Sequence, residues 1–417
     1  MCLMLQPARA FKTADDDRNL PLYPGVTMEQ SQQAHAALKA FYNGNVPESE
    51  QILAGLESQE EDDSLPPLSQ LLQVGTAVMQ LQRNDATNKK EEARLRKLIA
   101  ASGSRGLAAC AKADAKSKAY PTYLLIQGGI EGFLATMIIN SNPAKALSEG
   151  LHALKFLEEA QSADSTLADA YMGEGIFQCS VARAPMMVRA TLKMLGRETN
   201  LGSGLEALRR SAYDGQYTSV ASQLFLIQFF SPYDGELRQE KQQIFRTLMK
   251  NFPQSPYYLF LRDEEALCFY PDSFYQAHTR HLLEHKIHAA EPRDYAGFRY
   301  LNLVKYQYTL LNPSPAPFYA PDTALDLREY AYYPVFIQAL RMRRELMNDT
   351  AAILPPSQVR ALQILRDSTL TLLHNSNMTP ANLKLYEWHI RDALKPKMWK
   401  THSVETDTAD EDSASGG

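Results

Sequence analysis

The chain has 417 residues, 45% of them hydrophobic and 22% charged, with 20 glycines and 23 prolines. That length exceeds the ~250–300 residues at which a single core stops growing, so several packed units or an elongated stack are implied, and the composition excludes a disordered or fibrous chain. A net charge of −5 and a pI near 6.0 leave no basic excess for neutralising phosphates, which excludes a dedicated nucleic-acid binder.

The chain opens on an apolar run, Cys2-Leu3-Met4-Leu5, followed by Ala8-Arg9-Ala10, which has the small-x-small form of a signal-peptidase site. Residues 1–27 are therefore expected to be an N-terminal segment carrying the remnant of a signal peptide, with the mature chain starting near Phe11. That predicts a periplasmic or cell-envelope protein; an ordinary cytoplasmic N-terminus is the alternative.

From residue 28 to 311, apolar residues recur at helical spacing and period-two runs are scarce. Ala37, Leu38 and Phe41 form one stripe, Asn43-Gly44-Asn45 breaks it, and Ile52, Leu53 and Leu56 form the next, so Gln33–Leu56 is predicted to be a helical hairpin. Lys89, Lys90, Arg94, Arg96 and Lys97, interleaved with Glu91 and Glu92, read as a solvated helix. Tyr120–Asn140 is predicted as a helix, stopped at Asn142-Pro143 and followed by Ala144–Ala160. Its run Tyr123–Ile139 is the best candidate for a membrane span. Gln127 and Glu131 at its centre, and its shortness, make it a buried helix instead, with Gly128 and Gly132 admitting a close neighbour. No membrane span is expected.

Further helices are predicted over Leu167–Arg183, Gly202–Ala212, Ser219–Phe230, Glu236–Asn251, Pro256–Phe269, Ser273–Ala290 and Tyr295–Leu311. The breaks fall near Pro185, at Ser231–Gly235, at Tyr270-Pro271-Asp272 and at Glu291–Asp294. Opening helices recur every ~38–50 residues, the signature of stacked helical hairpins. Residues 312–322 form a Pro-rich linker. Residues 323–398 hold three closing helices, Thr323–Asn348, Pro356–Asn375 and Pro380–Leu394. Residues 399–417 form an acidic tail that is expected to be disordered. The four cysteines, Cys2, Cys110, Cys179 and Cys268, stand too far apart for a zinc ribbon or a disulfide framework and read as buried small hydrophobes.

Ala168-Asp-Ala-Tyr-Met-Gly-Glu-Gly-Ile-Phe177 resembles the first helix of a tetratricopeptide hairpin. Asn43-Gly44-Asn45-Val46, with Ser49 behind it, resembles the turn into the second, and Asn251-Phe-Pro253-Gln-Ser255 resembles a terminal proline and restart. In order, Gly173-x-Gly175-x-Phe177, Pro185, Gly196, Gly204-Leu205-x-x-Leu208, Gly215 and Phe229-Phe230 are similar to the family of tetratricopeptide repeat protein 39 and the yeast inclusion-body-clearance protein, and to bacterial exported tetratricopeptide proteins. The signature tryptophan of the first helix is absent from every hairpin. The resemblance implies an all-α fold, an α-solenoid whose groove holds partner segments. Physics points the same way, since a single hairpin cannot bury its apolar face alone.

Two constellations could carry function. His278, His281, His285 and His288 are four of the nine histidines and share an arc of about 80° on one predicted helix. The embedded His281-Leu-Leu-Glu284-His285 matches the H-x-x-E-H pattern of inverted zinc proteases, where the histidines bind zinc and the glutamate activates water. Glu284 lies to one side of the row and no strand-rich context surrounds it, so the row is read as a partner-binding stripe, with no metal assigned. The second constellation is aromatic: Tyr295, Tyr300, Tyr306, Tyr308, Phe318, Tyr319, Tyr330, Tyr332, Tyr333 and Phe336. Of these, Tyr295, Tyr300 and Tyr306 join the histidines as candidate partner-binding residues. No phosphate loop or nucleophile motif occurs and no cofactor is implied. The expected function is a non-catalytic protein–protein interaction scaffold of the bacterial cell envelope. The alternatives are a cytosolic adaptor of the same fold and a metal-dependent hydrolase using the histidine row.

Overall fold

The computed structural model describes residues 22–60, 65–83, 88–139, 141–184, 186–194, 197, 200–229, 235–253, 255–269, 277, 279–280, 295–311, 331–348, 356–376, 383, 387 and 390–391. Among these, fifteen helices and no strand occur, so the fold is all-α. They are α1 (Met28–Tyr42), α2 (Val46–Gln59), α3 (Leu68–Arg83), α4 (Lys89–Cys110), α5 (Tyr120–Ile138), α6 (Pro143–Ala163), α7 (Ala170–Ala182) and α8 (Met186–Met194). There follow α9 (Leu201–Asp214), α10 (Ser219–Phe229), α11 (Gly235–Asn251), α12 (Pro256–Phe269), α13 (Tyr295–Leu311), α14 (Tyr333–Asn348) and α15 (Pro356–His374). The acidic tail, the Pro-rich linker and most of the predicted helices Ser273–Ala290 and Pro380–Leu394 lie outside the described residues.

Local chemistry sets the helix ends. Thr27 caps α1 through a capping box: its Oγ1 accepts from the Gln30 amide at 3.1 Å, and Gln30 Oε1 accepts from the Thr27 amide at 3.0 Å. Asn88, Asn142 and Asn200 each accept from the amide three residues on, opening α4, α6 and α9. The Asn43-Gly44-Asn45 break closes α1 as a Schellman turn. The Asn45 amide donates to Ala40 O and the Gly44 amide to Phe41 O, and Gly44 has φ of +84°, a conformation that favours glycine.

Helices near one another in the chain pack together: α1 on α2, α3 on α4, α5 on α6, α9 on both α7 and α10, α12 on α13, and α14 on α15. α1, α3, α5, α7 and α10 also touch in succession. One core runs from Tyr23 through α12; a second joins α12 to α13, α14 and α15. α5 is a buried helix as its composition predicts. Glu131, 13% exposed, accepts from Gln127 at 3.1 Å and meets His152 of α6 at 2.6 Å. Among the described residues no helix is long and apolar enough to cross a membrane. The basic face of α4 is ion-paired: Arg94 with Glu50 and Glu91, Arg96 with Glu92, and Arg105 with Glu57.

The glycines predicted to admit a neighbour divide by what they meet. A Cβ at Gly175 would stand 2.8 Å from both Gly204 O and the Leu208 amide nitrogen, so α7 and α9 cross backbone to backbone. At Gly128 it would stand 2.9 Å from Ala153 O of α6. At Gly173 the near neighbour is a Leu157 methyl, and at Gly132 the nearest atom is 3.9 Å away. Gly175→Ala should therefore destabilise the protein by about 1–3 kcal/mol through overpacking. Gly55→Ala in α2, where no atom lies within 4 Å, should stabilise it by roughly 0.5–1 kcal/mol. Denaturant midpoints of the two variants, moving in opposite directions, check the crossing.

Glu60 ties the first three helices together. Its carboxylate accepts from Gln30 Nε2 at 3.0 Å, from the Ser69 amide at 3.1 Å and from Ser69 Oγ, joining α1, the end of α2 and the start of α3. Burial outweighs these bonds and pushes the Glu60 carboxyl up to about 7. A folded value above the unfolded one means that the contribution of Glu60 to stability is fully present below the ordinary carboxylate range and is lost as pH rises through about 7. Glu60→Gln removes the buried charge while retaining an oxygen acceptor. The difference in Tm, variant minus wild type, should grow more positive between pH ~5 and pH ~8 in a thermal series.

Candidate interaction site

The structure places the predicted site residues as follows. His278, His281, His285 and His288 lie outside the described residues, and Tyr295 opens α13. Tyr300 is 7% exposed and packs between Tyr257, at 4.8 Å between ring centroids, and Phe260, at 5.3 Å. Tyr306 is half-buried and stacks on Tyr333 at 6.5 Å. Tyr308, Tyr332 and Tyr333 are buried, and Tyr333 Oη accepts from Gln307 Nε2 at 2.7 Å. The described members of the aromatic set thus hold α12, α13 and α14 together. Among the described residues no group of three His, Cys, Asp or Glu side chains is arranged to hold a metal. Cys110 and Cys179 are free and buried, and burial pushes their thiols up to about 12 and about 11.

A site that the sequence did not announce lies where the chain enters the fold. Pro24 presets its own φ and Gly25 has φ of +80°, so Tyr23-Pro24-Gly25-Val26 forms a type II turn, closed by the Val26 amide donating to Tyr23 O at 2.9 Å. This short strap crosses the N-terminal ends of several helices at once. A Cβ on Gly25 would meet Ala119 Cβ at 2.4 Å, so only glycine lets the turn lie on the start of α5. Pro24 O accepts from Thr122 Oγ1 of α5 at 2.7 Å.

The Tyr23 ring is 2% exposed and meets Tyr217 edge-on at 5.6 Å, while its hydroxyl oxygen accepts from the Asp169 amide at 3.3 Å. Asp169, at the cap of α7, is 4% exposed. Its carboxylate accepts from the amides of Tyr217 and Thr218, each at 3.0 Å, and from Thr218 Oγ1 at 2.6 Å. Because the Thr218 proton goes to Asp169, Ser211 must donate to Thr218 at 2.7 Å, and Ser222 donates to Ser211 at 2.8 Å. The hydroxyls of α9 and α10 thus form a directed chain ending on one carboxylate. Gly215 leaves the room it needs, since a Cβ there would stand 2.6 Å from Asp169 Oδ1.

From the other side, α1 closes on the same turn. His35 stacks on Tyr217 at 5.2 Å, with its Nε2 3.2 Å from Gln216 O, and Tyr217 Oη donates to Ser31 Oγ at 3.3 Å. Since a carbonyl only accepts, that histidine nitrogen carries a proton. Burial, with the Asp169 charge adding to it, raises the hydroxyl pKa of Tyr23 well above the usual range, and burial raises that of Tyr217 as well. Both stay protonated donors or acceptors at any physiological pH. At the far end of α1, the Arg83 guanidinium lies between the rings of Tyr257, at 4.2 Å, and Phe41, at 5.2 Å, and Tyr42 packs on Phe252 at 5.6 Å.

The second feature missed in sequence is α8. The sequence predicts a break near Pro185 and no helix before Gly202, yet a nine-residue helix stands between them. Met186, Met187 and Met194 are 75%, 81% and 88% exposed, three of the seven large apolar side chains left on the described surface. Their spacing, with Ala190 between, was the available signal.

Comparison with known proteins finds no matching family model, no similar curated protein and no similar solved structure.

Asp169→Ala would leave two buried amides and a hydroxyl without their acceptor. A loss of about 3 kcal/mol or more follows from the number of donors orphaned. Hydrogen exchange should show the Tyr217 and Thr218 amides losing protection, together with the amides of α1.

Proposed function

We propose that the protein is a non-catalytic scaffold, an α-solenoid of tetratricopeptide-like hairpins that binds an extended partner segment and acts in the bacterial cell envelope. The packed helices, with α1, α3, α5, α7 and α10 touching in succession, support stacked hairpins, as does the resemblance carried by Gly173–Phe230. The export reading rests on the apolar start and the Ala8-Arg9-Ala10 pattern.

The observation that carries the binding reading is the strap. The helix array takes up an irregular segment by a mode suited to partner peptides: one aromatic inserted edge-on, one backbone carbonyl bonded to Thr122 and a turn seated on Ala119. The carbonyl and the turn rest on the start of α5 and the aromatic meets Tyr217 ahead of α10, so a bound segment is gripped by residues nearly a hundred positions apart in the chain. Specificity in this mode requires an aromatic bearing a hydroxyl, because the Asp169 amide needs an acceptor.

Tyr23→Ala empties the socket while leaving Asp169 and Tyr217 in place. The variant should bind a synthetic peptide of residues 20–27 in trans, read by fluorescence anisotropy, and should ignore the same peptide carrying alanine for tyrosine. A folded variant, verified by circular dichroism, that binds neither peptide would overturn the receptor reading of this face.

A further inference from the structure

We propose that α8 is an interfacial anchor through which the protein attaches to an anionic lipid surface. At 100° per residue, Met186, Ala190, Met194 and Met187 span an arc of about 100° on the nine-residue helix. Leu192, on the opposite side, is fully buried and seats the helix on the body. The methionine arc therefore faces outward by construction, and its side chains are the most exposed large apolar groups described. Monomeric surfaces scatter single apolar residues but rarely align three on one helix face.

The charge pattern names the occupant. Between Gly175 and Arg197 the sequence holds Arg183, Arg189, Lys193 and Arg197 and no acidic residue, in a chain whose net charge is −5. Arg183 donates to Phe229 O and lies over the Phe229 ring at 4.7 Å, and Arg197 is paired with Glu158. Arg189 and Lys193 are exposed and flank the Met186 edge of the arc. An apolar arc bordered by cations is the layout of a helix lying in the headgroup boundary, with the methionines in the acyl region and the cations at phosphate level.

A second copy of the chain fits less well. The helix is about 14 Å long, and its one face falls well short of the ~800 Å² per partner that a stable dimer buries. A lipid surface asks for no such area and no concave complement. The anchor goes beyond the scaffold reading and shares no residue with the strap or its socket.

The test is flotation of the full chain with vesicles of phosphatidylcholine alone, or with one third phosphatidylglycerol. The wild type should float with the mixed vesicles. Binding should be on the order of tenfold weaker or more with phosphatidylcholine alone and in Arg189→Glu/Lys193→Glu, the loss expected for two cations at a charged surface. Met187→Glu/Met194→Glu should abolish flotation without changing the circular dichroism, since both side chains are exposed. Ile364→Glu, at an exposed apolar site on α15, should float as the wild type does. Absence of wild-type flotation overturns the anchor, as does flotation indifferent to the methionines. So does a methionine-dependent dimer that binds no vesicle. The Tyr23→Ala protein should float normally, so failure of the peptide experiment leaves this one standing.

Discussion

One buried carboxylate fixes the geometry of the N-terminal half. Asp169 carries a negative charge into a site that is 4% exposed, and it is tolerated there only because two amides and a hydroxyl converge on it. Those donors belong to the turn that opens α10, whereas the aspartate belongs to the cap of α7. The bond set therefore specifies the spacing between two hairpins, where apolar packing alone would allow sliding. Tyr23 and Tyr217 then close over the site and exclude water, which makes any loss of the donors more costly.

Packing around that node follows a consistent logic. Close helix crossings occur where glycine removes the side chain, at Gly175 against Gly204 and at Gly128 against Ala153, and each helix pair gains van der Waals contact for a modest loss of helix propensity. Gly215 serves a different end, because the group it makes room for is the Asp169 carboxylate rather than a helix. Gly175, Gly204 and Gly215, close in sequence, thus answer to two different physical needs.

Much of the fold was legible because its signals are local. The Asn43-Gly44-Asn45 break, the asparagine caps and the apolar stripes of α1, α2, α5, α6, α7 and α9 can be read one helix at a time. α3 escaped because Leu68–Arg83 is buried on several sides and shows no clean stripe. α8 escaped because a nine-residue helix is shorter than the window in which periodicity declares itself. The aromatic series illustrates the other limit. Tyr300, Tyr308, Tyr332 and Tyr333 have the composition of a binding surface, yet burial decides their role, and burial depends on contacts between α12, α13 and α14. Nor does any pattern link Tyr23 to Asp169 or Tyr217, since their meeting spans 146 residues in one case and nearly 200 in the other.

That separation bears on how the chain is made. In a run of repeats bonded only to nearest neighbours, each hairpin can settle as soon as the next one follows it. Here the Tyr23–Val26 turn has no complete seat until Tyr217 and Thr218 have left the ribosome, nearly 200 residues after it. Through that interval Ser31 and His35 of α1 lack their contacts with Tyr217 and Gln216. The loop closed by this contact is long, and its closure entropy must be overcome before the buried aspartate and tyrosines reward it.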